Sequence, residues 1–436
     1  MANPLAAVTL PIKAKTIGKL RIRILPFLFI LYVVCYLDRT NISFAALTMN
    51  RELAITSEQY GLLVGIFFFG YFLFEIPSNL LLHRIGARIW IARILITWGI
   101  VAMLTGFVRT AHQLYVVRFL LGLAEAGYVP GIYLYLTYWF PQREQARVLA
   151  LFLTGLPVAS IVGAPASGFI LDHVHWFGVG SWRWLLILEG IPAIVLGFLT
   201  YFLLPGRPDE AKFLTTDEKE DIRAELEREA LDKLKHRQYS VSEVLTSGRV
   251  WYLVLIYSGM MVGRYTLSFW APQIVKATSS GYSNSVVGLL LMIPNLVAVT
   301  AMILIARSSD RRLERKYHVA IPAITAAVAM ALLGTTRSPF LAVTLLACAE
   351  IGLCGFLAPF WAMPSEFLSG LSVAAGFALI NSVGNLGGFV GPAAVGWIQQ
   401  RTGGLFGGMA LVSACLLVST VLVMLLPKSA RIRADE

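Results

Sequence analysis

The stretch Tyr36–Ser43, YLDRTNIS, sets a carboxylate beside a guanidinium where charge is unwelcome. The run ILPFLFILYVVCYL leads into it and FAALTM follows, so Asp38 and Arg39 interrupt what otherwise reads as one membrane-spanning helix. Similar apolar runs of about 20 residues, the length that crosses a bilayer core, recur along nearly the whole chain. Of the 436 residues, 57% are hydrophobic and 14% charged, against about 25% charged in a soluble domain. Mean hydropathy is +0.71. The expected fold class is therefore an all-α polytopic membrane protein. A transmembrane barrel needs short alternating segments instead, and the sequence does not read that way.

About twelve spans are expected, over 24–44, 61–82, 89–108, 112–135, 147–171, 182–204, 249–275, 284–306, 319–336, 340–362, 371–396 and 405–426. The basic N-terminus leads into an apolar stretch too long for a signal core, which reads as an uncleaved first span. The formal net charge of +11 is a topology signal rather than a nucleic-acid footprint. Lys13, Lys15, Lys19, Arg21 and Arg23 precede span 1, and Arg84, Arg88 and Arg93 are placed between spans 2 and 3. Arg143 and Arg147, then Arg307, Arg311, Arg312, Arg315 and Lys316, mark later loops, with Lys428, Arg431 and Arg433 at the end. Loops rich in Lys and Arg stay cytoplasmic, which puts both termini inside a multi-pass membrane protein.

One long polar segment, 206–248, carries the mixed-charge run DEKEDIRAELEREALDKLKHR. It reads as a cytoplasmic amphipathic connector between bundles 1–205 and 249–436. These halves echo each other. RTNISF at Arg39 matches RYTLSF at Arg264, and LAEAG at Glu125 matches CAEIG at Glu350, both at an offset of 225 residues. IVGAPASGFI matches FVGPAAVGWI, with Gly163 and Gly391 separated by 228. A duplicated six-span unit is the mark of a transporter whose halves rock about a midplane site.

YLDRTNISFA, GYFLFEIPSNLLLHRIGAR, RFLLGLAEAGYVPG, YWFPQREQAR and LLILEGIPA together resemble the anion:cation symporter branch of the major facilitator superfamily. Within it the chain is most similar to bacterial tartrate, hydroxyphenylacetate and galactonate-type permeases. The resemblance implies the major facilitator fold, with two pseudo-symmetric six-helix bundles, and proton-coupled uptake of an organic anion. The loop between spans 2 and 3 departs from the superfamily pattern. It reads LLHRIGAR with His83 and no acidic residue, whereas SSDRRLERK with Asp310 appears in the second half.

A charge inside a span costs about 2.5–3.5 kcal/mol on insertion scales, so such residues face a cavity or a partner. Arg grips a carboxylate with parallel hydrogen bonds and stays charged. Arg39 is the first substrate candidate and Arg118 the second; Arg264, the repeat mate of Arg39, is a third. The resemblance also places a substrate-side Arg at position 39. The bland alternative for Arg39 is a structural ion pair with Asp38 or another carboxylate, and for Glu125 a fixed pair with Arg118. Asp38 and Glu125 are the proton-coupling candidates, because burial and a neighbouring Arg pull a carboxyl in opposite directions. The resemblance likewise implies carboxylates in that role at these two places.

Tyr71, deep in span 2, and Asn381 and Asn385, one turn apart, would shape the pocket, and Asn385 matches a substrate-contacting Asn of the galactonate-type permeases. Gln273 and Trp361 are weaker candidates. Glu75 reads as a gate or packing contact, and Glu350 has no assigned role. Pro130, Pro157, Pro165 and Pro392 mark expected kinks. Cys35, Cys348, Cys354 and Cys415 read as small packing residues, without disulfide or metal. No enzyme chemistry is legible: there is no activated nucleophile or phosphate loop, and the six histidines sit in loops or near span ends. The expected protein is a monomer in a lipid bilayer that needs no cofactor beyond the proton. Its expected partners are a small organic anion and protons, with no nucleic acid. Export or exchange of organic anions, or a transport-inactive nutrient sensor, are the alternatives.

Overall fold

The computed structural model describes residues 14–235, 245–279, 281–364 and 371–426. Lys13, His236, Lys428, Arg431 and Arg433 lie outside them. The first half consists of α1 (Ala14–Glu52), α2 (Ser57–Ile85), α3 (Ala87–Thr105), α4 (Ala111–Glu125), α5 (Tyr128–Thr137), α6 (Gln142–Leu153), α7 (Gly155–His173) and α8 (Ser181–Leu203). The connector contains α9 (Thr216–Lys235). The second half consists of α10 (Gly248–Thr278), α11 (Asn284–Arg312), α12 (Lys316–Leu333), α13 (Pro339–Gly355), α14 (Leu357–Ala362), α15 (Leu371–Gly384), α16 (Gly387–Thr402) and α17 (Phe406–Leu425).

Among the described residues, eleven helical stretches are long and apolar enough to cross a bilayer. α10 is not one of them, because Arg264 and three tyrosines lower its hydropathy. It is nonetheless buried in the bundle along much of its length, packed on α16, α17 and α1, and completes the expected twelve crossings. Arg93, placed by the sequence in a loop, lies inside α3 instead, because that helix already begins at Ala87. Its guanidinium rests on the Trp90 ring, 3.8 Å from the centroid.

Four of the expected spans are broken helices. α4 and α5 make one crossing, as do α6 and α7, α13 and α14, and α15 and α16. Three of the breaks, at Gly127, Thr154 and Phe356, stand three residues ahead of Pro130, Pro157 and Pro359. A proline clashes with the carbonyl four residues back and withholds the hydrogen bond that would reach it. Those carbonyls belong to Ala126, Leu153 and Gly355, at the ends of the preceding segments. Gly127 also adopts φ 82°, a left-handed conformation that glycine reaches without strain. Pro165 and Pro392 lie within α7 and α16 without ending them.

The halves meet along two seams, α7 against α11 and α2 against α16. Both are tightest at the end of the bundle away from α9, hereafter the far end. A Cβ on Gly168 would stand 2.3 Å from the carbonyl oxygen of Asn284, and one on Gly61 would stand 2.4 Å from that of Pro392. Only glycine permits backbones so close. At the same end, both oxygens of Asp172 accept from the first turn of α11. Asn284 donates from its backbone N–H at 3.1 Å and its side chain at 2.8 Å, and Ser285 from its N–H at 2.6 Å and its hydroxyl at 2.7 Å. The carboxylate thus caps a helix of the second half from the first.

At the opposite end α9 lies on the first half. Ile222 and Glu225 are buried there, Lys19 reaches Glu218 at 2.7 Å, and Glu229 accepts from the Gln142 backbone at 3.0 Å. Large apolar side chains such as Phe202, Leu304 and Ile321 stay exposed around the bundle, a sleeve suited to acyl chains.

Candidate functional site

Successive residues on a helix diverge by about 100°, and Asp38 and Arg39 use that divergence to serve two environments. Asp38 faces α3, where Trp98 Nε1 donates to Oδ2 at 2.8 Å and Asn41 Nδ2, from its own helix, reaches Oδ1 at 3.5 Å. Arg39 faces α4 and α2. Its guanidinium donates to Glu125, and the rings of Tyr36, Phe67 and Tyr71 surround it at 5.2, 5.4 and 5.4 Å. Cation–π contact of this kind lowers the burden of burying a cation.

Arg118 and Glu125 both point inward from α4, as their spacing implies, yet they do not pair. Seven residues of helix separate them by about 10 Å along the axis, which leaves Glu125 to Arg39. Glu125 is also the last residue of α4, directly before the break at Gly127, so its carboxylate sits where the helix stops. Arg118 is 1% exposed, lies 5.2 Å from the Phe67 ring, and has no partner among the described residues for its Nε and Nη2. A buried cation without acceptors for its N–H groups is rare because it is expensive.

The second half repeats the pair. Arg264 Nη1 donates to Glu350 Oε2 at 2.5 Å, and the two are separated in sequence by 86 residues, as are Arg39 and Glu125. Each pair has a thiol against it: Cys35 donates to Glu125 at 3.3 Å, and Arg264 donates to Cys354 sulfur at 3.3 Å. These two cysteines are therefore polar members of the cluster rather than small packing residues. The spacing of apolar neighbours in the sequence hid their partners, which come from other helices or the next turn.

Asn385 lies in the break between α15 and α16, where the Tyr265 hydroxyl donates to its Oδ1 at 2.9 Å. Tyr265 in turn packs on Phe68 across the halves, ring centroids 4.2 Å apart. Glu75 accepts from Ser382 of α15, also across the halves, with Asn381 beside the same carboxylate. Trp361 packs into an aromatic group with Tyr257, Phe360 and Phe377, and Gln273 Nε2 has no partner among the described residues.

The structure therefore gathers Arg39, Tyr71, Arg118 and Glu125 in one cluster, turns Asp38 toward Trp98 of α3, and engages Arg264 with Glu350. Tyr36, Tyr265, Ser382 and Glu189 were not singled out from the sequence. Of these only Glu189 gave a signal, as a carboxylate inside the apolar span 182–204. Among the described residues, no group of three His, Cys, Asp or Glu side chains is placed to hold a metal ion.

Comparison with known proteins agrees with this architecture. Residues 28–392 match the Major Facilitator Superfamily, and the chain belongs to that family of membrane transporters. It is 44% identical to a provisionally assigned tartrate transporter of Agrobacterium vitis, over 97% of this chain and 93% of that one. It is 40% identical, over 94% of each chain, to the provisionally assigned metabolite transport protein NicT of Pseudomonas putida. It is 37% identical, over 92% of each chain, to a quinolone resistance transporter of Acinetobacter baumannii. The partially occluded inward-open structure of the xylose transporter XylE from Escherichia coli superposes with a TM-score of 0.75 at 14% identity, covering 94% of this chain and 98% of that one.

Proposed function

We propose that this transporter takes up a small organic anion, a sugar acid, dicarboxylate or aromatic carboxylate, together with protons across the cytoplasmic membrane. The observation that carries the reading is Arg118: a fully buried guanidinium with two nitrogens that have no partner among the described residues, near the Arg39–Glu125 pair. Such a group is an anion receptor whose partner is the cargo. The names given to the Agrobacterium relatives favour a carboxylate.

Protons enter through the same cluster. A carboxylate cargo arriving between Arg39 and Arg118 competes with Glu125 for the guanidinium, and a Glu125 stripped of its cation in a buried site takes up a proton. Each net positive charge moved inward gains about 2.3 kcal/mol per 100 mV of inside-negative potential, so an anion accumulates only with compensating protons. The bundles 1–205 and 249–436 are the rocking bodies and 206–248 their tether. The Lys- and Arg-rich loops assign the α9 end and both termini to the cytoplasm, so the glycine seams and Asp172 seal the outer side. Arg39, Arg118 and Glu125 are all nearly inaccessible in this state, so the cycle requires the halves to part around them. The protein works as a monomer, with the proton as its coupling ligand and no cofactor.

Uptake into proteoliposomes under an inward proton gradient, with a panel of labelled carboxylates, tests this. Carboxylate accumulation that collapses with the gradient is the expected result; movement of neutral sugars or cations instead would overturn it. If no solute moves under any gradient, the transport-inactive sensor replaces it. Export or exchange is the second reading, favoured by the resistance transporter among the relatives. Reversing the gradient in the same vesicles separates the two.

A further inference from the structure

α8 packs against α3, α1 and α7, and it carries Glu189 into the seam between them. Glu189 is buried; Ser167 of α7 donates to its Oε1 at 2.8 Å, and its Oε2 has no partner among the described residues. Asp38 faces the same region from α1 and is held by neutral donors alone, the indole of Trp98 and the amide of Asn41. The charged groups whose fields reach Asp38 are Glu189, Glu125 and Arg118. Those acting on Glu189 itself are the neutral Ser167 and Asn41. Two buried carboxyl groups thus stand where α1, α3, α7 and α8 meet, about 100° round α1 from Arg39, and among the described residues no cation bonds to either.

Two ionised carboxylates in such a place would repel each other and leave lone pairs unsolvated. A carboxyl that is merely structural would be neutral permanently. The placement of this one beside Asp38, itself on the turn that holds Arg39, gives it a different use, because movement of α1 changes what Asp38 and Glu189 present to each other.

We infer that Glu189 is a second proton-binding residue, paired with Asp38 and separate from the anion site around Arg118 and Glu125. This rests on the proton-symport reading above and adds a proton that does not travel beside the cargo. Holding and releasing it requires no covalent chemistry, only exchange of a proton between the Glu189 carboxyl and water as the pocket opens.

Two measurements test it on the full-length protein. Infrared difference spectra of the purified protein, titrated without any substrate, report protonated carboxyl groups directly. The wild type should show a carboxylic acid band that titrates, and Glu189→Gln should lose one component of it. Glu189→Gln preserves shape and the Ser167 contact, and Glu189→Asp should restore a titrating band. In proteoliposomes with labelled tartrate as the probe, the proton-to-tartrate ratio from reversal potentials should fall by about one in Glu189→Gln. A band that the substitution leaves untouched, or one that never titrates, would overturn the inference. So would an unchanged ratio in a variant that transports. Tartrate movement without protons in the wild type would instead defeat the symport reading, while the substrate-free titration still decides whether Glu189 exchanges a proton.

Discussion

Ser285 donates to Asp172 twice, from its backbone N–H at 2.6 Å and its hydroxyl at 2.7 Å, and so fastens α11 to α7 across the two halves. With Asn284 the carboxylate has four donors, and hydrogen bonds to a charged group are worth about 1.5–3 kcal/mol each. Asp172→Ala should therefore raise the population open at the far end by tenfold or more, with Asp172→Asn intermediate. Spin-label distances across that end would show the shift; an unchanged distribution in Asp172→Ala would remove the latch. Gly168→Val should trap the open form outright, since its side chain would meet the Asn284 carbonyl.

Removing Arg118 should separate function from stability. Arg118→Met deletes a buried cation that, among the described residues, has no hydrogen-bonding partner for two of its nitrogens, so the variant should melt at or above the wild-type temperature. Carboxylate binding should weaken by about 100-fold, the loss of a charge-assisted pair worth about 3 kcal/mol. Thermal shift with and without ligand reads both. A destabilised variant with intact affinity would show that Arg118 is structural.

Glu125→Gln keeps a hydrogen-bond acceptor for Arg39 but no titratable proton site. Proton-driven accumulation should fall far more than counterflow exchange, which needs no net proton movement. Equal losses would remove Glu125 from proton coupling.

The Arg264–Glu350 pair behaves differently if its role is architectural. Losing one partner leaves an uncompensated buried charge and costs about 3–5 kcal/mol, whereas replacing both by apolar residues is often neutral. Arg264→Leu and Glu350→Leu alone should each lower the melting temperature sharply, and the double variant should recover most of the loss. If the double variant regains stability but not carboxylate affinity, Arg264 also touches the cargo.

The pH dependence of α9 docking has a definite sign. The hydrogen bond from Lys19, with that from the Thr215 N–H, holds the Glu218 carboxyl below the ordinary range. A depressed folded value contributes attachment above the unfolded value, about 4.3, and loses it as pH falls through the lower folded one. Dyes on α9 and α6 should therefore keep their separation from about pH 8 to pH 5 and drift apart only below about pH 4. Lys19→Ala should weaken the docking above about pH 5 and flatten its pH dependence.

The fold was largely legible because lipid imposes a length and a polarity on every crossing. The repeated Arg and Glu at one offset also marked matching places in the two halves, and the structure forms an ion pair at each. Who pairs with whom was not legible. Arg118 and Glu125 share a face, but a helix holds them two turns apart, and only the approach of α1 to α4 decides that Arg39 takes the carboxylate. Asp172 was invisible for the same reason, since its partners come from the other half. Glu189 was visible as a charge in an apolar run, but its neighbours Ser167, Asn41 and Asp38 are set by tertiary packing.

The twin ion pairs divide labour unequally. The 225-residue offset that equates Arg39 with Arg264 sets Gly263 against Asp38 and Val343 against Arg118. On the proposed reading the first half holds the groups that grip cargo and exchange protons, while the matching place in the second half holds a neutralised ion pair. Cargo would then ride with the first bundle throughout, and the second would act as a shutter, sliding off one mouth as it covers the other.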